Sequence, residues 1–290
     1  MSKKESKDSL VGKVIGGYKV VKLIAEGGFG KTYKVKEIET GAIDCLKDCS
    51  NVKKEYAFVL KEEYKTARKL RHHCLPSMRA LVPTSDGKYA LIMSYIDGKT
   101  LEQWVEKFGK LDPEHVAWIT ERTLHVLKYM HYHGVVHGDI KPQNIIIVPK
   151  EHQIVLIDFG LAMVKPKSGD ENMGWTKEYA PPEQLDGKVL VPESDLYSLG
   201  KTMIYALSGN QEAVAKLQVP DEVPGPMCDF VYKLIVRDVN NRPNWEEYKN
   251  GKKQEDLTKV IVEVRKASFG RTASGMKPLP AWLDEEDKEE

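Results

Sequence analysis

Between residues 137 and 160 the chain reads His137-Gly138-Asp139-Ile140-Lys141-Pro142-Gln143-Asn144, then an apolar run, then Asp158-Phe159-Gly160. Two carboxylates, a lysine two residues after the first and a side-chain amide five residues after it are crowded into one short stretch. Asp and Asn carry the hard oxygen atoms that magnesium prefers, and a lysine beside them can offset developing anionic charge. An Asp in such company is also a candidate to orient and deprotonate a hydroxyl. Residues of these types could serve phosphoryl transfer, a reaction that asks a protein mainly to position groups and stabilise charge. For any single acid or lysine the plainer explanation is a solvated surface charge, and a whole set in register makes that explanation a poor one.

Two kinds of element are expected to position this set. From Tyr18 to about Ile96 the pattern is mainly strand: Tyr18 to Ile24 is rich in β-formers, Lys31 to Val35 alternates, Gly41 marks a turn and Ile43 to Lys47 is a short strand. One helix, Glu55 to about Arg71, interrupts them, and strands resume at Tyr89 to Tyr95 after the turn at Ser85-Asp86-Gly87. Beyond Gly98 the balance shifts to helix. Asp112-Pro113-Glu114 reads as an N-cap with Pro at the first helical position, and Val116, Ile119, Thr123, Leu127 and Met130 keep helical spacing until Gly134. The expected class is α+β and bilobal: a small antiparallel β-sheet lobe (18–96) with one main helix, and a larger, mostly helical lobe (97–250). A polar segment (1–17) precedes them; a C-terminal extension (251–283) and an acidic tail (284–290) follow.

Length and composition permit this arrangement and exclude others. A chain of 290 residues is compatible with two lobes, and 41% hydrophobic with 30% charged residues is the composition of a soluble globule with a core. The net charge of +1 supplies no global field for nucleic acid or an anionic membrane, so neither is expected as a partner. Cys45, Cys49, Cys74 and Cys228 have no CxxC spacing, and His72-His73-Cys74 lacks a second ligand pair at zinc spacing; reduced thiols in a cytoplasmic protein are expected. No apolar stretch approaches a membrane span, and the charged N-terminus has no apolar leader core.

Ahead of the catalytic stretch lies Ile24-Ala25-Glu26-Gly27-Gly28-Phe29-Gly30-Lys31-Thr32-Tyr33. Glycines let backbone N–H groups approach phosphate oxygens, although a glycine-rich turn between strands is more often a plain hairpin. Lys47 raises its significance. It ends an apolar strand one element downstream, and paired with a carboxylate on the following helix it could grip phosphates; Glu63 is the best-placed partner, with Glu62 its neighbour.

From about Tyr18 to Tyr248 this order resembles a eukaryotic-type (Hanks-type) serine/threonine protein kinase catalytic domain, of the kind bacteria and archaea also carry. Pro181-Pro182-Glu183 resembles the end of the activation segment, Ser194-Asp195-Leu-Tyr-Ser-Leu-Gly200 resembles the motif whose Asp braces the catalytic loop, and Arg242 of Asn241-Arg242-Pro243 is similar to the arginine that pairs with that Glu. The resemblance implies ATP and Mg²⁺, with Mn²⁺ as an alternative ion. It implies nucleotide contacts from Ile24, Gly27, Gly28, Phe29, Gly30, Thr32, Cys45, Lys47 and Glu63, and a gatekeeper and hinge at Met93, Ser94, Tyr95 and Ile96. Asp139 would act as base, Lys141 would offset charge on the γ-phosphate, and Asn144 and Asp158 would chelate the metal. Lys141 and Thr176 match the serine/threonine class, so protein Ser/Thr hydroxyls are the implied acceptors and autophosphorylation is open. His137, Phe159, Gly160, Glu183, Asp195 and Arg242 would be structural.

Departures from the pattern matter too. Gly138 replaces the Arg that in many kinases pairs with a phosphorylated activation loop, and Ser168 is the only hydroxyl between Gly160 and Thr176, so activity without loop phosphorylation is expected. Ala25 stands at the first glycine of the loop, and the stretch from Gly209 to Met227 is shorter than the usual docking region. Two alternatives stay open: a small-molecule phosphotransferase of the same fold, which also writes His-Gly-Asp, and a pseudokinase serving as a binding module. The extension contributes an amphipathic Leu257 to Val264, Thr272 and Ser274 after Arg271 as candidate phosphorylation sites, and Trp282 as a candidate anchor.

Overall fold

The computed structural model describes residues 10–27, 30–48, 54–84, 87–170, 174–245, 248–249, 252–253, 255–270 and 277–281. Gly28 and Phe29, the Ser85-Asp86 part of a turn, Cys49, Thr272, Ser274, Trp282 and the acidic tail lie outside the described residues.

The first lobe is one antiparallel sheet built from β1 (Val14–Ile15), β2 (Tyr18–Gly27), β3 (Gly30–Glu37), β4 (Ile43–Asp48), β5 (Met78–Pro83) and β6 (Tyr89–Ser94), ordered β1-β2-β3-β4-β6-β5. Alternation makes β3 what it is: Tyr33 and Val35 point into the lobe core with Val20, Leu46 and Ile92, while Thr32, Lys34 and Lys36 point away. Helix α1 (Lys54–Ala67) is inserted between β4 and β5, with Leu60 packed on Leu91. It ends one turn before the expected Arg71. Lys69 and Leu70 donate to the carbonyls of Thr66 and Ala67, an i to i−3 tightening that turns Leu70 into the core. Strand β5 is not among the expected strands; Arg79 interrupts its apolar run and Pro83 ends it.

The second lobe is mostly helix and carries the larger core. In chain order come β7 (Lys99–Thr100), α2 (Leu101–Phe108), α3 (Pro113–Tyr132), β8 (Val135–Val136), β9 (Ile145–Val148), β10 (Gln153–Leu156), β11 (Met163–Val164), α4 (Pro182–Leu185), α5 (Pro192–Ser208), α6 (Gln211–Lys216) and α7 (Gly225–Leu234). After β12 (Tyr248–Lys249) and β13 (Lys252–Lys253) comes α8 (Leu257–Phe269), the last element among the described residues, packed on α3 and α7. Asp112 caps α3 as expected, accepting from Glu114 N. Helix α5 is buried on all sides from Ser194 to Leu207, the environment that suits a helix running through a core. Gly200 lets it do so: a Cβ there would meet Ile235 Cγ2 at 2.5 Å and Leu234 Cβ at 3.1 Å. The bilobal α+β arrangement is therefore the fold, and the loop between β8 and β9, carrying Asp139, lies against α5. No described helix is long and apolar enough to cross a membrane.

Candidate active site

The loop from His137 to Asn144 is bounded by β8, which pairs with β11, and by the β9–β10 hairpin, which delivers Asp158. Asp195, on α5, holds it from beneath. Its carboxylate accepts from His137 N, Gly138 N and His131 Nε2, each at 2.8 Å. His131 in turn accepts at Nδ1 from the Trp245 indole at 2.7 Å, which leaves Nε2–H as the donor toward Asp195. Gly138 is in the left-handed region (φ 75°), and a Cβ there would lie 2.7 Å from the Leu161 carbonyl oxygen, so the Arg of the usual motif has no room in this backbone. His137, fully buried, accepts from Asp139 N at Nδ1 and directs Nε2 to the Ile157 carbonyl, and its ring packs on Phe159.

Both oxygens of Asp139 are engaged. Thr176 Oγ1 donates to Oδ1 at 2.7 Å and accepts from Lys141 Nζ at 2.8 Å, while Lys141 Nζ also lies 2.7 Å from Oδ2. Asn144 Nδ2 donates to the Asp139 carbonyl at 2.8 Å and to Oδ2 at 3.2 Å. The amide's donors are spent on Asp139, so its free acceptor is Oδ1. The activation segment returns at Glu183, whose two oxygens take Arg242 Nη1 and Nη2 at 2.7 and 2.8 Å. Ser194 Oγ donates to the same carboxylate at 2.7 Å, and the Arg242 guanidinium also covers the Tyr197 ring at 4.6 Å. Buried Gln184, the next residue, donates to the carbonyls of Gly138 and Gly174 at 3.0 and 3.2 Å. A neutral amide thus ties the activation segment to the catalytic loop.

Above the loop, Lys47 Nζ on β4 donates to Glu63 Oε2 on α1 at 2.8 Å and to Asp158 Oδ1 at 2.7 Å. Glu62 faces outward and pairs with Lys65, so the helix face selects Glu63 as the partner. Burial would lower the lysine's pKa; the two carboxylates overcome it and raise it. For Asp158 burial acts upward and Lys47 downward, with Lys47 prevailing, and its carboxyl is pulled down to about 2. Glu63 is raised by burial and by the neighbouring Asp158 charge against the pull of Lys47, and its Oε1 accepts from Phe159 N at 3.4 Å. Asp158 adopts φ 67°, a left-handed conformation rare outside glycine. Its Oδ2 has no partner among the described residues, whereas Oδ1 takes Lys47 and Gly160 N. Asp158 Oδ2 and Asn144 Oδ1 therefore remain as hard oxygen donors, the set a magnesium-class ion requires.

Of the other expected nucleotide contacts, Thr32 stands beside Lys47 across the β3–β4 pair and Gly27 beside Gly30 across the β2–β3 turn. Ile24 is exposed at 45% on β2. Cys45 opposes Met93 on β6, and its thiol is buried and pushed up to about 12. Ser94, Tyr95 and Ile96 follow as half-buried residues linking the lobes, with Lys34 over the Tyr95 ring at 4.5 Å. His72, His73 and Cys74 bring their ligand atoms within 4.8 Å of one another, yet burial pushes the Cys74 thiol up to about 11, away from the thiolate a metal needs. His131, Trp245 and Gln184 were not anticipated. An HG-type loop hints that something must replace Arg, and no local pattern points to Gln184 or Trp245.

A β-sheet lobe whose lysine is paired to a helix carboxylate, over a helical lobe whose Asp-Lys-Thr cluster is braced from α5, defines the catalytic domain of a serine/threonine protein kinase. The chain belongs to that family: the model for the protein kinase domain matches residues 18–252. It is 32% identical over 219 residues to serine/threonine-protein kinase F of Synechocystis, covering 67% of this chain and 44% of that protein. To serine/threonine-protein kinase pkn3 of Myxococcus xanthus it is 30% identical, over 81% and 48% respectively. To serine/threonine-protein kinase PknA of Mycobacterium tuberculosis it is 31% identical, over 68% and 48%. The chain spans about half the length of these relatives. A protein kinase domain generally uses ATP and a divalent cation.

Proposed function

We propose that this chain transfers the γ-phosphate of Mg·ATP to serine or threonine hydroxyls of proteins, and that it does so without phosphorylation of its activation segment. The observation that carries the reading is the Asp139–Thr176–Lys141 cluster, closed at 2.7–2.8 Å. Bound Mg·ATP supplies the phosphoryl group and the cations that spread its charge. Asp139, held at both oxygens, orients the acceptor hydroxyl and takes its proton. Lys141 and Lys47 would offset anionic charge on the phosphates, and Asn144 and Asp158 would hold the metal through their free oxygens.

Three features support independence from loop phosphorylation. Thr176 docks on Asp139 through its own hydroxyl, Gln184 makes the loop-to-segment link with a neutral side chain, and Gly138 removes the guanidinium that would receive a phosphate. Exposed Ser168 is the only hydroxyl available in that stretch.

The test is intact mass of phosphatase-treated protein after incubation with Mg·ATP and a generic basic protein, run beside Asp139→Asn. Phosphate on Ser or Thr in the wild type and not in the variant is expected. Phosphate appearing only on small alcohols would replace the acceptor class, and turnover abolished by the phosphatase step would overturn the activation claim.

A further inference from the structure

Helices α3 and α8 lie antiparallel. Lys128 meets Asp256 at one end and Arg265 Nη1 meets Glu121 in the middle. At the other end Lys277 pairs with Asp112 at 2.8 Å while its carbonyl lies 3.1 Å from His115 Nε2. Between the middle and the last of these contacts polar residues of both helices lie around His152, which touches Trp118 and feels Arg122, Arg265 and His115. His115, Trp118 and Arg122 share one face of α3 at i, i+3 and i+7, and Arg265 and Ser268 share a face of α8 at i and i+3. From the β9–β10 turn His152, itself left-handed at φ 50°, sets its ring edge-on to Trp118 at 4.6 Å.

These groups are short of acceptors. Trp118 Nε1, Arg122 Nε, Arg265 Nε and Ser268 Oγ are buried atoms without a hydrogen-bond partner among the described residues. Trp118 is 1% and Arg265 5% exposed. A buried polar group left unmade costs about 1–3 kcal/mol, and indole and guanidinium N–H groups can only donate. Glu121 is the only described carboxylate that contacts either arginine, so among the described residues two guanidinium charges face one carboxylate. The His152 ring registers the same field: burial first, then Arg122, Arg265 and His115, lower its pKa. Donors without acceptors, beside excess positive charge, are the requirements of an oxyanion site.

We infer that the α3–α8 junction binds a tetrahedral, phosphate-type dianion through Arg122, Arg265, Trp118 Nε1 and Ser268. It is a second site, built entirely on the helical lobe and separate from the residues that would hold Mg·ATP. The phosphate can be free in solution or can be a phosphoryl group carried by this chain, whose Thr272 and Ser274 fall in sequence between α8 and Lys277. Only the second source rests on the kinase reading.

The test titrates the phosphatase-treated, nucleotide-free full chain with inorganic phosphate at constant ionic strength, against chloride, reading the thermal midpoint. Arg122→Gln and Trp118→Phe are run beside it; the second keeps the ring against His152 and stays readable if the first loses the fold. A saturable rise is expected, with half-saturation raised at least about tenfold in Arg122→Gln, the equivalent of one lost charge-assisted hydrogen bond, and less in Trp118→Phe. Phosphate held at the nucleotide site would respond equally in all three proteins. A second arm repeats the titration after incubation with Mg·ATP and removal of small molecules, with Thr272 and Ser274 mapped by mass. If the modified chain is stabilised and no longer responds to free phosphate, the ligand is its own phosphoryl group; an unchanged response assigns free phosphate. No saturable rise, or identical responses in wild type and both variants, overturns the site and leaves the kinase reading intact. Absence of transfer in the second arm counts against that reading and not against the phosphate titration.

Discussion

The loop that carries Asp139 is braced from beneath by groups that share one core, whereas Lys47 is gripped from two sides by carboxylates on separate elements. Asp195, Glu183 and Arg242 are nearly inaccessible, and each is satisfied by several partners within the helical lobe. Lys47 sits on the sheet, Glu63 on α1 and Asp158 after β10, with one ammonium serving two acids. The lower network is preorganised, because moving any member strands a buried charge. The upper one is exchangeable: a metal ion at Asp158 or a proton at Glu63 alters which acid Lys47 serves. On the function proposed above, one half of the site serves position and the other response to nucleotide.

Removing the proposed base should have the largest effect. Asp139→Asn is expected to lower kcat by about 10²–10⁴ with little change in Tm, since the amide can keep part of the Thr176 and Asn144 contacts; a retained kcat would remove Asp139 from the chemistry. Breaking the lower network comes next. Glu183→Ala takes from the buried Arg242 guanidinium the carboxylate it holds at both oxygens, and urea unfolding should show a loss of about 3–5 kcal/mol. Burial acts to raise the Glu183 carboxyl, but bonds from Arg242 and Ser194 hold it below the ordinary 4.5. Its contribution to stability is therefore fully present above about pH 4.5 and is lost as pH falls through the folded value, and Glu183→Gln should flatten that acid limb.

The upper network should break more gently. Glu63→Gln is expected to raise KM for ATP about tenfold, the size of one charge-assisted bond, at nearly unchanged Tm. Because the Glu63 carboxyl is raised and Asp158 is held at about 2, falling pH protonates Glu63 first. ATP binding in the wild type should then weaken on the acid side above the ordinary carboxylate range, and this limb should vanish in Glu63→Gln; an identical profile in both proteins would refute the exchangeable role. Smallest is Trp245→Phe, which frees His131 Nδ1 while leaving Asp195 its backbone donors, and should cost about 1 kcal/mol of stability. A much larger loss would mean that the lower network hangs on His131 instead of on the backbone.

Legibility followed the same division. The loop from His137 to Asn144 was readable because its members are neighbours in the chain, and the elements around Lys47 were readable from alternation and turns. Glu63 was preferred to Glu62 from the sequence, and packing carries that preference out: one residue turns a helix by about 100°, and contact with the sheet fixes which face is used. The early end of α1 and the strand β5 were hidden for a related reason: Leu70 and Arg79 take their places from contacts outside their own segment. Gln184 and Trp245 left no local trace at all. Their partners are 46 and 114 residues away.

Residue types and short spacings thus determined the chemistry that the chain can offer, because a loop places its own members within reach of one another. Tertiary structure decided which charges meet. Lys47 and Asp158 are 111 residues apart, and Asp195 lies 57 residues beyond Gly138. Bonds of that range form only after two elements pack, and the free energy of excluding water from both faces, which no local pattern records, selects the pairing.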